Sequence, residues 1–392
     1  MGYPVGAMER AMKVHEVILR ALSGQLTWLQ AADILGRSPR SIRRMRYKCE
    51  RSGVEDLFDR RRRTPSPRRA PVAEVERVLR RYRARYPGFN VRHFWRRARA
   101  DHGVPFCYAF VKKVLQTAGL VDKRRARGRH RRRREPRPCF GELLHLDGSR
   151  HRWLALVPEQ YLTLIAVVDD ATKQILYAQL SDGGESTAAV LTALRHVLVT
   201  WGLPMAWYTD RAHWAAHTPV AGGKADRTKL TQVGRALAQL GIEHILGYSP
   251  QARGRSERMN GTLQGRLVNE LRVAGITTVA AANRYLRERF LPEFNAEFSL
   301  PPADPAPAFV PVGRVDLEQI LCHQDERVVA RDNTVVLDGV VLQLAKQAGR
   351  RSCAGLRVVV RRHLDARHSV WLGSRRLGLF DARGRSVAAD AA

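Results

Sequence analysis

The order of apolar segments between residues 141 and 298 constrains the fold of this chain more than any other feature. The predicted strands are 143–146, 152–156, 161–168, 174–180, 205–209 and 242–246. The predicted helices are 186–201, 230–240, 255–273 and 278–296, and a loop is predicted at 247–254. Consecutive strands followed by alternating helices and strands indicate an α/β domain with a mixed sheet.

Two helical units are predicted before this core. In residues 14 to 63, Thr27 opens a helix that Gly36 ends, and Ser38 caps the next helix with Pro39 at its first position. Residues 72 to 120 repeat the plan, with Asn90 as a cap. A helix, a glycine turn and a basic helix together indicate a helix-turn-helix unit, whose second helix enters the major groove of DNA.

The exposed basic residues of these helices are candidate DNA contacts. They are Arg40, Arg43 and Arg44 in the first unit and Lys112 and Lys113 in the second. The alternative is an ordinary antiparallel helix pair with a solvated basic face. Both interpretations remain open at this stage.

Residues 123 to 137 hold ten Lys or Arg and a single acid, Glu135. Like charges repel, so this run predicts an extended linker that neutralises DNA phosphates, or a merely solvated one. Its candidate DNA contacts are Arg131, Arg132, Arg133 and Arg134. The predicted domains are therefore 1–65, 66–138, 139–300 and 301–392. The last combines a proline-rich linker with short alternating apolar strands, which predict a small antiparallel β-barrel.

The charge balance points to a polyanionic partner. The 392 residues carry 68 Lys and Arg against 37 Asp and Glu, a formal charge of +31, which favours nucleic acid. A GC-rich genome, which favours Arg codons, accounts for part of the arginine excess. The longest central apolar run, Leu162 to Val168, is too short to span a bilayer, so no membrane partner is expected. Five scattered Cys without a C-x-x-C indicate a reducing cytosol and no cysteine-based zinc site.

Three acids of the predicted core are candidate metal ligands. Asp147 ends the first strand, Asp210 ends the strand after the first core helix, and Glu257 lies near the start of a later helix. Phosphoryl transfer on DNA uses two cations about 3.5–4 Å apart, and hard cations such as Mg²⁺ or Mn²⁺ prefer carboxylate oxygens. Each acid has arginines close in sequence, so ion pairing is the alternative role.

Other polar residues near these positions are weaker candidates. Asp169 and Asp170 fall in a predicted tight turn between strands, which suits a β-turn better than a metal. His145, His213 and His217 lie near the proposed site, although an isolated histidine is more often packed or solvated than a ligand. No nucleophilic serine with a base is visible around Ser149.

The segment 141–298 resembles the catalytic core of the DDE transposases and integrases. The matching stretches, in order, are LHLDGS, WYTDRAHW and SPQARGRSERMNGTLQGRL. The resemblance implies a ribonuclease-H-like fold, with Asp147, Asp210 and Glu257 as catalytic residues and ligands of two cations. The flanking units suggest the insertion-sequence group labelled ISNCY. The zinc module of retroviral integrases is absent, so no zinc is expected.

Two departures from the family pattern concern spacing and DNA contact. The gap from Asp210 to Glu257 is longer than is common, with the extra residues expected in 214–228. Relatives often place a basic residue two turns beyond the Glu. Gln264 occupies that position here, with Arg258 and Arg266 nearby as further candidate DNA contacts.

The resemblance implies a bacterial transposase that cleaves the ends of an insertion sequence and transfers them to target DNA. Its partners would be duplex DNA at terminal repeats and target sites and further copies of the chain, in the nucleoid region of the cytoplasm. The alternatives are an inactive, co-opted transposase that regulates or shapes DNA, and a plain ribonuclease-H-type nuclease. Geometry discriminates between them, because catalysis needs the three carboxylates to converge.

Overall fold

The computed structural model describes residues 5–58, 69–123, 135–217, 226, 228–247 and 250–387, with the backbone alone at 250–256. The chain divides into two compact units, 1–77 and 78–392, and each is described by itself. Within the described residues, we find no helix that combines the length and apolarity needed to cross a membrane.

The first unit is a small helical bundle. Its helices are α1 (Val5–Leu22), α2 (Trp28–Ile34) and α3 (Pro39–Ser52), followed by a 3-10 turn, Gly53–Leu57. Thr27 and Gln30 form a capping box on α2, and the Ser38 side chain caps α3, as the sequence predicts. Gly36 has a positive φ of 58° in the turn between them. The buried core is small: Val17, Ala21, Ala31, Ala32 and Ile42.

A second helical bundle lies at the start of the second unit. Its helices are α4 (Val72–Arg85, which begins before the boundary), α5 (Val91–His102) and α6 (Tyr108–Thr117). Asn90 caps α5 through the backbone N–H of His93, and Gly103 ends it in the left-handed conformation. The core is aromatic: the rings of Tyr82 and Phe94 meet edge to face at 5.0 Å. The predicted helices are confirmed, whereas DNA binding by them stays a prediction.

The predicted α/β core with a mixed sheet is confirmed. The strands are β1 (Leu143–His151), β2 (Leu162–Asp169), β3 (Ile175–Ser181), β4 (Ala206–Thr209) and β5 (Glu243–Leu246). The helices are α7 (Thr187–Thr200), α8 (Gln232–Gln239), α9 (Pro250–Val273), α10 (Val279–Tyr285) and α11 (Leu291–Phe298), with a π-helical turn at Leu286–Phe290. The sheet order is β3-β2-β1-β4-β5. β1 to β3 are antiparallel, and β4 and β5 continue parallel to β1.

Apolar clusters cover both faces of this sheet. One joins strand residues such as Leu144 and Leu146 to α7 and α8, and the other joins Leu164 and Ala166 to the helices from α9 to α11. Two asparagines also bond the edge strand β3. Asn283 bonds both backbone groups of Leu180, and Asn295 bonds both backbone groups of Ile175. These side chains satisfy strand-edge groups that would otherwise be open to pairing.

Three predictions about local structure in the core are wrong. The first strand does not end at Asp147, which lies in the middle of β1. The segment 152–156 is not a strand, because β1 itself extends to His151 and pairs along its length with β2. Its apolar pattern arises because Trp153 and Leu154 are buried in the core beside the hairpin. The predicted loop at 247–254 is also shorter, because α9 already begins at Pro250.

The C-terminal part differs from the predicted barrel. It contains α12 (Leu317–Ile320), β6 (His323–Val328), β7 (Thr334–Leu337), β8 (Val340–Gln343), β9 (Arg357–Arg362), β10 (His368–Leu372) and β11 (Arg375–Phe380). In the described residues these strands form two open sheets, β11-β10-β9-β6 and β7-β8. Both sheets cover one apolar core without closing into a barrel. The barrel was predicted because alternation along a strand indicates which face is buried but not which edges pair.

Candidate active site

Asp147 and Asp210 lie on neighbouring parallel strands. The pairing of β1 with β4 places His145 beside Tyr208, and each aspartate is two residues further along its own chain. Asp147 lies within β1, and Asp210 is the first residue after β4. The two aspartates therefore follow the same end of the β1–β4 ladder, each two residues beyond its last pair.

Helix α9 is fixed against the same part of β1 by two side-chain hydrogen bonds. Asn260 Nδ2 donates to Asp147 Oδ2 at 2.9 Å, and Gln264 Nε2 donates to Ser149 Oγ at 2.9 Å. Residues four apart share one side of a helix, and residues two apart share one face of a strand. Glu257 is three residues before Asn260, so it lies one turn further along that side of α9, with an exposed side chain.

The described conformation does not gather the three carboxylates. Across the part of the chain whose side chains are described, no three His, Cys, Asp or Glu residues lie close enough to hold a metal ion. The donor chemistry nevertheless suits a divalent cation, because carboxylate oxygens are the preferred ligands of Mg²⁺. The three acids lie on β1, just after β4 and on α9, and their assignment as a metal site stays a prediction.

The turn that carries Asp210 is held by hydrogen bonds. Asp210 Oδ1 accepts from the backbone N–H of Ala212 at 2.9 Å, and Thr209 Oγ1 donates to the carbonyl of Asp210 at 2.8 Å. His244 Nε2 lies 2.9 Å from the same hydroxyl. Burial lowers the pKa of His244 to about 4, so the ring is neutral near pH 7. Because the Thr209 hydroxyl donates its proton to the Asp210 carbonyl, the His244 ring is the donor to Thr209 Oγ1.

Asp169 and Asp170 have structural roles, as their turn position predicts. Asp169 accepts from the backbone and hydroxyl of Thr172 at 2.7 Å each, and from the backbone of Gly141 at 2.9 Å. Burial raises the pKa of Asp169, and these donors oppose the rise. Asp169 pairs with Leu144, three residues before Asp147 on β1. The turn therefore lies beside the first residues of β1 and away from Asp147.

The candidate histidines also divide by environment. His145 is buried, and its Nε2 lies 2.9 Å from Asp170 Oδ1. It therefore packs against the turn that contains Asp169 and Asp170. His213 and His217 are exposed. The prediction that histidines near the site are packed or solvated agrees with these positions.

The structure separates the candidate DNA contacts into three groups. Those with exposed side chains are Arg40, Arg43, Arg44, Lys112, Lys113 and Arg258. Those outside the described residues are Arg131, Arg132, Arg133 and Arg134. Gln264 is half-buried and bonds Ser149.

Arg266 requires a correction. It is 7% exposed, its guanidinium makes two hydrogen bonds to Glu297 at 2.7 and 2.9 Å, and it lies 4.5 Å from the Phe298 ring centre. The sequence pattern made it a candidate because it is a basic residue close to Gln264, which lies two turns beyond Glu257. In the fold it faces α11, so it is a packing residue and not a DNA contact.

One basic cluster beside the site was missed by the sequence analysis. The guanidinium carbons of Arg150 and Arg152 lie 5.2 and 5.0 Å from the centre of the Tyr161 ring. All three side chains are exposed, at the end of the hairpin formed by β1 and β2. Alternating arginines shortly after Asp147 were the available signal, but their aromatic partner lies across the hairpin.

The fold and site together define an α/β core with two aspartates on neighbouring strands and a glutamate on the helix packed against them. No protein-family model matches the chain. A protein described as a transposase, y4bF of Sinorhizobium fredii, is 29% identical over 374 residues, which cover 94% of this chain and 80% of that protein. The transposase for insertion sequence IS1202 of Streptococcus pneumoniae is 29% identical over 322 residues, which cover 73% of this chain and 68% of that protein. These relatives confirm the resemblance to insertion-sequence transposases.

Solved structures give weaker similarities. The HTLV-2 integrase catalytic core in complex with magnesium is 14% identical with a TM-score of 0.27, covering 37% of this chain and 82% of that chain. The Mos1 strand transfer complex is 13% identical with a TM-score of 0.27, covering 76% and 93%. A simian T-cell lymphotropic virus intasome is 14% identical with a TM-score of 0.31, covering 72% and 92%. The function of this chain is therefore argued from its sequence relatives and its own geometry.

Proposed function

We propose that this chain is a transposase with a ribonuclease-H-like core, which cuts DNA at the ends of an insertion sequence and joins those ends to target DNA. The observation that carries the proposal is the hydrogen bond from Asn260 to Asp147. It holds α9 against the strand that carries Asp147, at a position one turn along the helix from Glu257. The non-catalytic alternative is not favoured, because both sequence relatives are transposases and all three acids are present.

The proposed mechanism assigns one task to each part of the site. Asp147 and Asp210 would hold one divalent cation, and Glu257 would complete the site of a second. Bound Mg²⁺ or Mn²⁺ supplies activation of the attacking oxygen and stabilisation of the leaving oxygen. Asn260 keeps the Asp147 carboxylate oriented by donating to one of its oxygens. The attacking group comes from water in the cleavage step and from the freed 3′-OH of the DNA in the joining step.

We infer that the third carboxylate joins the site when cation and DNA bind. Catalytic contacts are often loose before substrate binds and tighten in the complex. The side of α9 that contains Glu257 already faces β1, as the bonds of Asn260 and Gln264 indicate. The required change is therefore confined to the first turns of α9, before Asn260.

DNA contact is proposed for the exposed basic residues. The helices α3 and α6 would recognise terminal repeats, and Arg258 would contact the strand near Glu257. The Arg150–Tyr161–Arg152 cluster would hold the DNA backbone beside the scissile phosphate, because guanidinium groups pair well with phosphate. Two DNA ends must be brought together in transposition, so a homo-oligomer acting on duplex DNA in the nucleoid is part of the proposal.

The test is cleavage of DNA that carries the element's own ends, with Mg²⁺ or Mn²⁺ added. Asp147→Asn, Asp210→Asn and Glu257→Gln each should reduce cleavage to background while DNA affinity stays near that of the unmodified chain, because metal coordination needs the negative charge. Glu288→Gln, which neutralises an exposed acid of the π-helical turn, is the matched control and should cleave normally. Any of the three variants that cleaves at the normal rate removes that residue from the site, and an unmodified chain without metal-dependent cleavage contradicts the function.

A further inference from the structure

Glu185 is an acid of the core that the proposed chemistry does not use. It follows the Gly183–Gly184 turn after β3 and immediately precedes Ser186, whose side chain caps α7. The amino end of a helix carries a partial positive charge, which favours a carboxylate at this point. The side chain is half-buried and directed towards the strand that carries Asp147.

The Glu185 carboxylate lies directly against Gly148, the residue after Asp147. A Cβ atom added to Gly148 would be 2.0 Å from Glu185 Oε1 and 2.3 Å from its Cδ. Real side chains do not approach so closely, so any larger residue at 148 would displace Glu185. The φ of Gly148 is outside the left-handed region, so a larger residue here would have to move the end of the Glu185 side chain but would not strain the backbone.

The same carboxylate reaches the segment that follows Asp210. Trp214 Nε1 donates to Glu185 Oε2 at 3.1 Å. The Trp214 ring is 3% exposed and is packed in the apolar cluster on the α7 side of the sheet, four residues after Asp210. One side chain therefore touches both the β1 segment next to Asp147 and the anchored segment next to Asp210.

This bridge lies where the sheet itself stops holding the two aspartates together. The pairing of β1 with β4 ends at His145 and Tyr208, two residues before either aspartate. Beyond that level, β1 continues against β2, while Thr209 pairs with Leu246 of β5. The contacts of Glu185 with Gly148 and Trp214 connect the part of β1 and the segment after β4 that lie beyond the last residues these two strands pair.

We propose that Glu185 is a positioning residue that sets the spacing between Asp147 and Asp210 through Gly148 and Trp214. The proposal rests on the proposed function, since it assigns Glu185 to the same metal site. Glu185 acts by its shape and its acceptor oxygen rather than by binding the cation. Residues that orient metal ligands typically matter about 10–100-fold for metal affinity or activity.

Three variants test the bridge. Glu185→Ala removes the contacts with Gly148 and Trp214. Trp214→Phe keeps an aromatic side chain but removes the indole N–H that donates to Glu185. Glu185→Gln keeps the size and an acceptor oxygen while it removes the charge. Asp182→Asn is the matched control, because it neutralises an exposed acid three residues earlier in the same loop.

The readouts are Mn²⁺ affinity of the full chain by electron paramagnetic resonance, cleavage rate at saturating DNA, and DNA affinity. Glu185→Ala should weaken Mn²⁺ binding and slow cleavage by about tenfold or more, with DNA affinity unchanged. Trp214→Phe should change both in the same direction by a smaller factor. Glu185→Gln and Asp182→Asn should remain within about threefold of the unmodified chain, because neither removes the bridge.

The outcomes separate this inference from the proposed function. If Glu185→Gln is as defective as Glu185→Ala, the charge itself is needed, Glu185 is a ligand, and the positioning role is overturned. Normal Mn²⁺ binding and cleavage in both Glu185→Ala and Trp214→Phe also overturns it. An unmodified chain that binds Mn²⁺ but never cleaves contradicts the proposed function alone, since the effect of Glu185 on Mn²⁺ affinity is measured without catalysis. The indole N–H signal of Trp214 in ¹⁵N NMR should move in Glu185→Ala, which verifies the bond while the fold is intact.

Discussion

The two helical bundles follow the same sequence plan but are stabilised differently. In the first, the buried core consists of small aliphatic residues around Ile42. Its described ion pairs are Arg46 with Glu50 on the surface and the exposed Arg51 with the buried Asp56. In the second, the core is aromatic and one helix, α5, is joined to helix α9 of the α/β core by buried charges. Caps and glycine turns thus define a helical bundle, while residues distant in sequence join the second bundle to α9.

Glu270 of α9 is the centre of that junction. It accepts from Arg97 Nε at 2.8 Å and from the hydroxyl of Tyr285 at 2.9 Å, and it also contacts His93 Nε2. Glu270 and His93 are both less than 10% exposed. Because α9 also carries Glu257 and Asn260, this network connects the second bundle to the helix that bears part of the candidate site.

The largest expected effect comes from removing the centre of the network. Glu270→Ala removes the buried partner of Arg97, which keeps its ion pair with the more exposed Glu293, so the loss should lie towards the lower end of the about 3–5 kcal/mol typical of breaking a buried ion pair. The free energy of opening of α5, measured by hydrogen exchange of its amides, should fall by that order. Arg46→Ala in the first bundle is the control and should leave amide protection in α3 unchanged. Unchanged protection of α5 in Glu270→Ala would mean that the second bundle does not depend on the junction.

Acid should weaken the second bundle by the same route. Burial opposes ionisation of Glu270, yet the hydrogen bonds from His93 and Arg97 and the charge of Arg97 lower its pKa to about 2 from an ordinary 4.5. A depressed acid pKa stabilises the fold above the unfolded value, and this stability, about 3 kcal/mol, is lost as the pH falls from about 4.5 towards 2. Burial lowers the pKa of His93, so its protonation on unfolding acts in the same direction below about pH 6.5. Denaturation of Glu270→Gln over this pH range should show a weaker pH dependence, and an identical slope would contradict the assignment.

The smallest expected effect is on the preference for element ends over random DNA, and it should show whether each bundle contacts bases or phosphates. Replacing Arg40, Arg43 and Arg44 by Ala should reduce the preference for element ends over random DNA by about tenfold or more, since base contacts give specificity. Replacing Lys112 and Lys113 by Ala should do the same if α6 also reads bases, or should weaken binding to both DNAs equally if it contacts phosphates. Competition binding at fixed salt measures both. Equal losses on the two DNAs for both variants would assign both bundles to non-specific binding.

Local signals predicted much of this fold, while long-range contacts were not predictable. The Ser38 and Asn90 caps and the start of β1 at Leu143 were found because caps and apolar runs act within a few residues. The burial of Arg266 against Glu297 and the Arg150–Tyr161–Arg152 cluster depend on elements that are far apart or across a hairpin. The closed barrel was predicted wrongly for the same reason, because a strand pattern carries no information about which edges meet.

The proline-rich segment after α11 gives the core a property of its own. Its backbone bonds the stretch that leads into β1, through Asp304 with Pro138 and Ala308 with Phe140. Further along, Val310 and Leu203 exchange two hydrogen bonds. The chain therefore arrives at the sheet and leaves it at one place. A tension applied between the chain before Pro138 and the chain after Val310 would be carried by these backbone hydrogen bonds and would not act on β1 or β4. Pulling on the chain from both sides of this segment would therefore leave the spacing of Asp147 and Asp210 unchanged.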